Sequence, residues 1–273
     1  MRDPMMETRR HKTALITGAS SGIGLELAML CARDGYDLVL VARREDRLRE
    51  LEEKWTAQYS IDVRYVPLDL SDGAAPQKLF DELAGTPIDI LINNAGFATY
   101  GPFAETDVAS QVGMVRVNVL AVTHLTRLFL PSMVQRGEGR ILNLASMAAF
   151  VPGPLMAVYY STKAYVLSFS EALSEELRGS GVTVTAFCPG PTATEFQARA
   201  RLERSGLLRI AQADVGPIAE AGYRAMMKGE TVAVPGILSK VATVLIRIAP
   251  RFLIRRVLHK LQSQVQRPSA PPT

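Results

Sequence analysis

Histidine and cysteine are scarce in this chain, three and two residues out of 273. His11, His124 and His259 are scattered, which argues against a histidine-based triad or a zinc site. Cys31 and Cys188 fall in an expected helix and at an expected strand end, and they make neither a metal pattern nor a disulfide framework. No metal is therefore expected. No Lys/Arg-rich stripe with interleaved aromatics is present, so the net charge of +4 gives little reason to expect nucleic acid. The stretch "MRDPMMETRRHK" ahead of the first strand lacks the apolar core of a secretory leader, which points to the cytoplasm. In the C-terminal part Arg247, Arg251 and Arg255 interrupt the longest apolar region, which falls short of the roughly 18 uncharged apolar residues of a spanning helix. No internal repeat or low-complexity linker divides the chain, and only the tail "RPSAPPT" reads as disordered. With 48% hydrophobic and 21% charged residues, the expectation is a single domain over 1–273. Its core covers about 12–235 and an amphipathic extension about 236–265.

What the chain does have is alternation. Seven short β-branched runs occur at 13–17, 37–42, 63–68, 88–93, 140–145, 182–187 and 231–235. Between them lie longer segments with helical apolar spacing, such as 23–35 and 44–59. Strands rich in Val, Ile and Leu that alternate with helices predict an α/β fold, a Rossmann-like doubly wound parallel sheet of seven strands covered on both faces. Gly35, Gly139 and Gly181 sit where left-handed helix stops are expected.

Directly after the first run comes "TGASSGIG", Thr17 to Gly24, with glycines at 18, 22 and 24. A glycine-rich turn between a strand and a helix brings backbone N–H groups, here around Ser20, Ser21 and Ile23, close to a pyrophosphate, and the helix N-terminus adds a partial positive charge. Arg43 and Arg44 follow the second strand, with Arg43 19 residues past Gly24. An acidic residue there would hold a ribose 2′-hydroxyl, whereas an arginine accepts a 2′-phosphate, so NADP(H) is expected over NAD(H).

The stretch "VYYSTKAY" (158–165) holds three tyrosines and one lysine. In a helix, residues four apart share a face, which pairs Tyr159 with Lys163, Tyr160 with Ala164 and Tyr165 with Phe169. A phenol titrates near 10, and bringing it near 7 needs roughly 4 kcal/mol. A lysine about 5 Å away supplies on the order of 3 kcal/mol at an effective dielectric near 20, and the positive ring of an oxidised nicotinamide supplies the rest. The fifth strand delivers Ser146 at its C-terminal end, the edge where open parallel sheets bind ligands. "NNAG" (93–96) closes the fourth strand, and Asn118 lies in a long helical pattern.

Taken in order, the T-G-x-x-x-G-I-G turn, N-N-A-G, Asn118, Ser146 and Y-x-x-x-K make the chain resemble the single-domain branch of the short-chain dehydrogenase/reductase family over nearly all of 12–235. That resemblance implies a catalytic tetrad of Asn118, Ser146, Tyr159 and Lys163, with Tyr159 as the proton donor and Ser146 holding the carbonyl oxygen. It further implies that Lys163 binds the nicotinamide ribose, that Asn118 anchors a water, and that Asp69 and Leu70 hold the adenine. Asn94, Ala95 and Gly96 would line the cofactor, and Pro189, Gly190, Thr192 and Thr194 would meet its nicotinamide end. The implied partner is a small-molecule carbonyl or alcohol and the implied assembly a homo-oligomer, dimer or tetramer. A cofactor-binding protein kept as a redox sensor or scaffold is the alternative.

The segments expected to face substrate are 97–103, 150–156 and a lid candidate at 194–208. Phe97, Tyr100, Phe103, Phe150, Leu155 and Met156 make them mostly apolar, which favours a lipophilic ketone or aldehyde. Beyond Glu230 no acidic residue occurs, while Lys240, Arg247, Arg251, Arg255, Arg256, Lys260 and Arg267 are basic. The segment 238–265 is otherwise apolar and helix-like, broken at Pro250, and resembles the C-terminal extension of one subgroup of the family. A cap over the cleft or a subunit contact is favoured, with Val241, Leu245, Ile248, Leu253, Val257 and Leu261 on buried faces. Peripheral contact with an anionic membrane is the alternative.

Overall fold

In the computed structural model, which describes residues 11–192, 195 and 213–263, the apolar runs form one seven-stranded sheet. The strands are β1 (Thr13–Thr17), β2 (Asp37–Ala42), β3 (Val63–Pro67), β4 (Ile90–Asn93), β5 (Gly139–Leu144), β6 (Val182–Phe187) and β7 (Val232–Ala233). They pair in the order β3-β2-β1-β4-β5-β6-β7, every pair parallel. The fold is thus the Rossmann-like doubly wound sheet expected from the alternation. The order reverses between β1 and β4, which opens a crevice beyond their C-terminal ends. Edge strand β7 keeps two residues where five were expected, because it pairs only with Ala186 and Phe187 of β6.

Helices α1 (Gly22–Arg33), α2 (Glu45–Tyr59), α3 (Ala75–Glu82), α4 (Val108–Val115), α5 (Val122–Arg136), α6 (Ala157–Glu176) and α7 (Val215–Lys228) cover the sheet. Strand residues alternate between its faces. Ile16, Leu40 and Ile92 pack on Leu27 and Cys31 of α1, Trp55 of α2 and Met226 of α7. Leu15, Val39, Leu91 and Ile141 pack on Leu79 of α3 and on Leu125, Phe129 and Met133 of α5. Together α4, a π-helical turn at Arg116–Ala121 and α5 form one 29-residue helix that is long and apolar enough to cross a membrane. Its apolar stripe nevertheless lies in the core, against the sheet.

Two expectations are corrected. Gly35 and Gly181 are left-handed as expected, but the stop after α5 is Gly137 (φ 70°), not Gly139. Gly139 already belongs to β5, where a Cβ would come within 2.7 Å of the Met133 side chain. The second correction concerns the extension, which forms α8 (Ile237–Ile248) and α9 (Arg251–Ser263) around Pro250. Val241, Leu245, Ile248, Leu253 and Val257 are exposed, and of the expected set only Leu261 is half-buried. The smaller or more polar side chains Ser239, Ala242, Thr243 and Gln262 turn inward with Ile246 and Leu258.

Candidate active site

The crevice is a cleft of 710 Å³ running from the turn after β1 to the C-terminal helices. Ser146 follows β5 and caps a short 3₁₀ turn, its Oγ accepting a bond from Ala148 N at 3.1 Å. Facing it from the first turn of α6 is Tyr159, buried and hydrogen-bonded to Ser146. One turn further, the buried Lys163 donates through Nζ to Leu144 O at 2.5 Å and stands 5.9 Å from the Tyr159 ring centroid. All three line the cleft. Burial lowers the Lys163 pKa to about 8. Burial pushes Tyr159 above its ordinary 10, Ser146 pulls it part of the way back, and Tyr160 adds to the rise. Tyr159 therefore stays protonated at neutral pH. The other two tyrosines are occupied elsewhere: Tyr165 stacks on Phe169 with centroids 5.7 Å apart, and Tyr160 accepts a bond from Gln262 Nε2 at 2.9 Å.

Asn118 lies in the π turn, an irregularity that recurs at functional sites. Its amide closes a two-way clamp on Phe97, accepting from Phe97 N at 3.1 Å and donating to Phe97 O at 3.0 Å. It also donates to Thr162 Oγ1 at 3.1 Å, and Thr162 Oγ1 in turn donates to Tyr159 O at 2.7 Å. Asn118 thus fixes the segment after β4 to the helix that carries Tyr159 and Lys163. Deeper in the sheet, Asn93 donates to Thr126 and Asn143, and Asn143 donates to Ser170, tying β4 and β5 to α5 and α6.

The turn after β1 is closed from below by Asn94, whose Nδ2 donates to Thr17 O at 2.9 Å and Gly18 O at 3.2 Å. Thr17 Oγ1 accepts from Asn94 N and Ala95 N, each at 3.0 Å. A Cβ on Gly24 would clash with the Asn94 amide and come within 2.5 Å of Gly18 O. Only glycine lets the start of α1 sit this close to the strand ends, with its N-terminus turned to the crevice. Arg44 donates to Ser20 Oγ at 3.0 Å and Ser20 O at 3.2 Å, and pairs with Glu195 at 2.7 Å. Arg43 is 65% exposed and reaches Asp69 only at 3.8 Å. Burial raises the Asp69 pKa, but bonds from Ser71 and the Arg43 charge outweigh it and leave the carboxyl below its usual range. With Ser20, Ser21, Gly22, Ile23, Leu70, Asn94, Ala95 and Gly96 also lining the cleft, this cradle fits an anionic dinucleotide.

A model of the short chain dehydrogenase family matches residues 12–205. The chain belongs to the short-chain dehydrogenase family. A very-long-chain 3-oxoacyl-CoA reductase of Rattus norvegicus is 35% identical over 192 residues, covering 69% of this chain and 62% of the relative. The ketoacyl reductase HetN of a Nostoc species is 36% identical over 187 residues, 68% of this chain and 65% of the relative. The match thus spans less than two thirds of these relatives' length. Among solved structures, a Sphingobium yanoikuyae short-chain dehydrogenase in complex with NADPH is 34% identical with a TM-score of 0.79, covering 94% of this chain and 99% of the other. A bulky-bulky ketone specific alcohol dehydrogenase of Comamonas testosteroni is 30% identical with a TM-score of 0.74, covering 88% of this chain and 95% of the other.

In this short-chain dehydrogenase the expected site residues mostly converge on the cleft. Pro189, Gly190 and Thr192 line it, whereas Gly24 and Asn118 stand behind it as supports. Thr194 and the lid candidate 194–208, apart from Glu195, lie outside the described residues. Of the six apolar residues expected to face substrate, Phe97 and Met156 line the cleft while Phe103 is exposed. Thr17, Arg44 and Thr162 were missed, as were Ile246, Leu258 and Gln262 of the extension. Thr17 and Arg44 stood inside motifs already singled out, so their signal was present; nothing local marked the others.

Proposed function

We propose that the protein is an NADP(H)-dependent oxidoreductase that interconverts a lipophilic small-molecule carbonyl and its alcohol. The observation that carries this reading is a buried Tyr159 bonded to Ser146, with Lys163 behind it, at the end of a cleft that begins in a glycine-rich anion cradle. The bound nicotinamide dinucleotide supplies or accepts the hydride. In the reducing direction Tyr159 gives its proton to the carbonyl oxygen, and Ser146 holds that oxygen while charge develops on it. Lys163 stabilises the phenolate left behind, and Asn118 keeps Phe97 and α6 in register around the reacting atoms. Arg43 and Arg44, between β2 and α2, support the preference for NADP(H), because an arginine there would accept a ribose 2′-phosphate. Apolar lining from Phe97, Val151, Met156, Ile246 and Leu258 supports a lipophilic substrate. Relatives named for a very-long-chain oxoacyl-CoA and for bulky ketones accord with it.

The test is a panel of lipophilic ketones and aldehydes with NADPH and NADH, followed at the nicotinamide absorbance. Tyr159→Phe should lower kcat by about 100-fold or more and leave NADPH affinity nearly unchanged, since it removes a proton donor and little volume. Tyr160→Phe should keep kcat. NADPH binding without turnover of any carbonyl would instead leave a redox sensor or scaffold, and equal losses in the two variants would remove Tyr159 from its role.

A further inference from the structure

Helices α8 and α9 carry their polarity inside out. Ile246, Leu258 and Gln262 line the cleft, and Ser239 and Thr243 are half-buried and buried. Facing away are the large apolar side chains, with Ile237 81%, Leu238 87% and Ile248 79% exposed, and Val244, Leu245 and Phe252 more than half exposed. An apolar face of this kind on water-exposed helices marks an interaction surface. Its neighbours identify the partner. Lys240, Arg251, Arg255, Arg256 and Lys260 are all exposed, and no ion pair among the described residues engages any of them. The sequence adds Arg247 and no acidic residue beyond Glu230. On α9 the cations alternate with the apolar side chains, and the Arg256 guanidinium lies 5.9 Å from the Phe252 ring centroid.

We propose that this outer face docks on an anionic lipid membrane. Apolar side chains would enter the headgroup–acyl boundary while the long basic side chains reach the phosphates, the pattern of an interfacial amphipathic helix. A second copy of the chain is a poorer occupant, because self-association would bring two strongly basic faces together. The same two helices line the cleft through Ile246, Leu258 and Gln262, so docking sets the substrate end of the cleft beside the bilayer. That last consequence rests on the reductase reading; the docking itself does not, and vesicle binding involves no turnover.

The test is co-sedimentation of the full chain with phosphatidylcholine vesicles, with and without phosphatidylglycerol. Binding should require the anionic lipid and fall steeply between about 0.1 and about 0.5 M NaCl. Arg255→Gln and Lys260→Gln should each weaken it about fivefold. The triple variant Leu238→Ser/Leu245→Ser/Ile248→Ser should abolish it, with an unchanged melting temperature and unchanged turnover of a water-soluble carbonyl. Absence of wild-type binding to anionic vesicles would overturn the proposal. Salt-insensitive binding to neutral vesicles would overturn the anionic assignment. A dimer that the triple variant dissociates, without vesicle binding, would make the face a contact between copies.

Discussion

Lys163 is an ammonium buried between β5 and α6, and no ion pair among the described residues engages it. Burial brings its pKa from 10.5 to about 8, a displacement that corresponds to on the order of 3 kcal/mol. The sign follows from proton binding. Between pH 8 and 10.5 the unfolded chain holds a proton on this lysine that the folded chain has released, so stability rises with pH across that window. At neutral pH both states are charged and the full penalty stands. Lys163→Met should therefore lack the rise: its melting temperature relative to wild type should fall as pH increases from 8 to 10.5. The absolute melting temperature decides less, because the variant also leaves Leu144 O without its donor, a pH-independent loss of about 1–3 kcal/mol. Parallel pH profiles for the two proteins would show that Lys163 is no stored electrostatic cost and that its place in the site is set by packing alone.

At the scale of elements, two adjacent arginines at the start of α2 differ in how they meet the turn from β1 into α1. Arg44 is committed to the turn, holding Ser20 by side chain and backbone. Arg43 is the freer charge. Arg43→Asp should weaken NADPH binding far more than NADH binding, because it sets a carboxylate against the 2′-phosphate. Arg44→Ala should weaken both, since it loosens the turn they share. Fluorescence titration of the two cofactors checks this, and an NADPH-selective loss in Arg44→Ala alone would exchange the roles. The turn and the strands were legible in the sequence because each is a local pattern: five or six apolar residues, then glycines at fixed offsets. The division of labour between Arg43 and Arg44 was not, because it depends on which guanidinium folds back onto Ser20. Nor was the clamp of Asn118 on Phe97 and Thr162, whose partners stand 21 and 44 residues away. The Tyr159–Lys163 pair was found by helical spacing, whereas the effect of burial on the two groups has no local signature.

Across the whole molecule, the extension is bonded to α6 although about 100 residues separate the two in sequence. Gln262 Nε2 donates to Tyr160 Oη, the Tyr100 hydroxyl donates to Gln262 O at 2.5 Å, and Tyr160 stands edge-on to Tyr159 with ring centroids 6.0 Å apart. The direction in which α8 and α9 turn their apolar residues escaped the sequence for the same reason: amphipathic spacing gives a face, and only the tertiary fold decides what it meets. The glycine-rich turn lies at the other end of the cleft, next to Ser20 and Arg43. Stripping the cap's cleft-facing side chains with Ile246→Ala/Leu258→Ala should therefore act on substrate and spare the cofactor. KM for a lipophilic carbonyl should rise about tenfold or more, since a missing methylene group in an apolar pocket is worth about 1–3 kcal/mol. NADPH affinity and vesicle binding should be unchanged, because neither the cradle nor the outer face is touched. Steady-state kinetics beside NADPH titration separates the two ends of the cleft. An unchanged KM would show that the two helices line the cleft without touching substrate, and a parallel loss of NADPH affinity would show that they hold the whole cleft together.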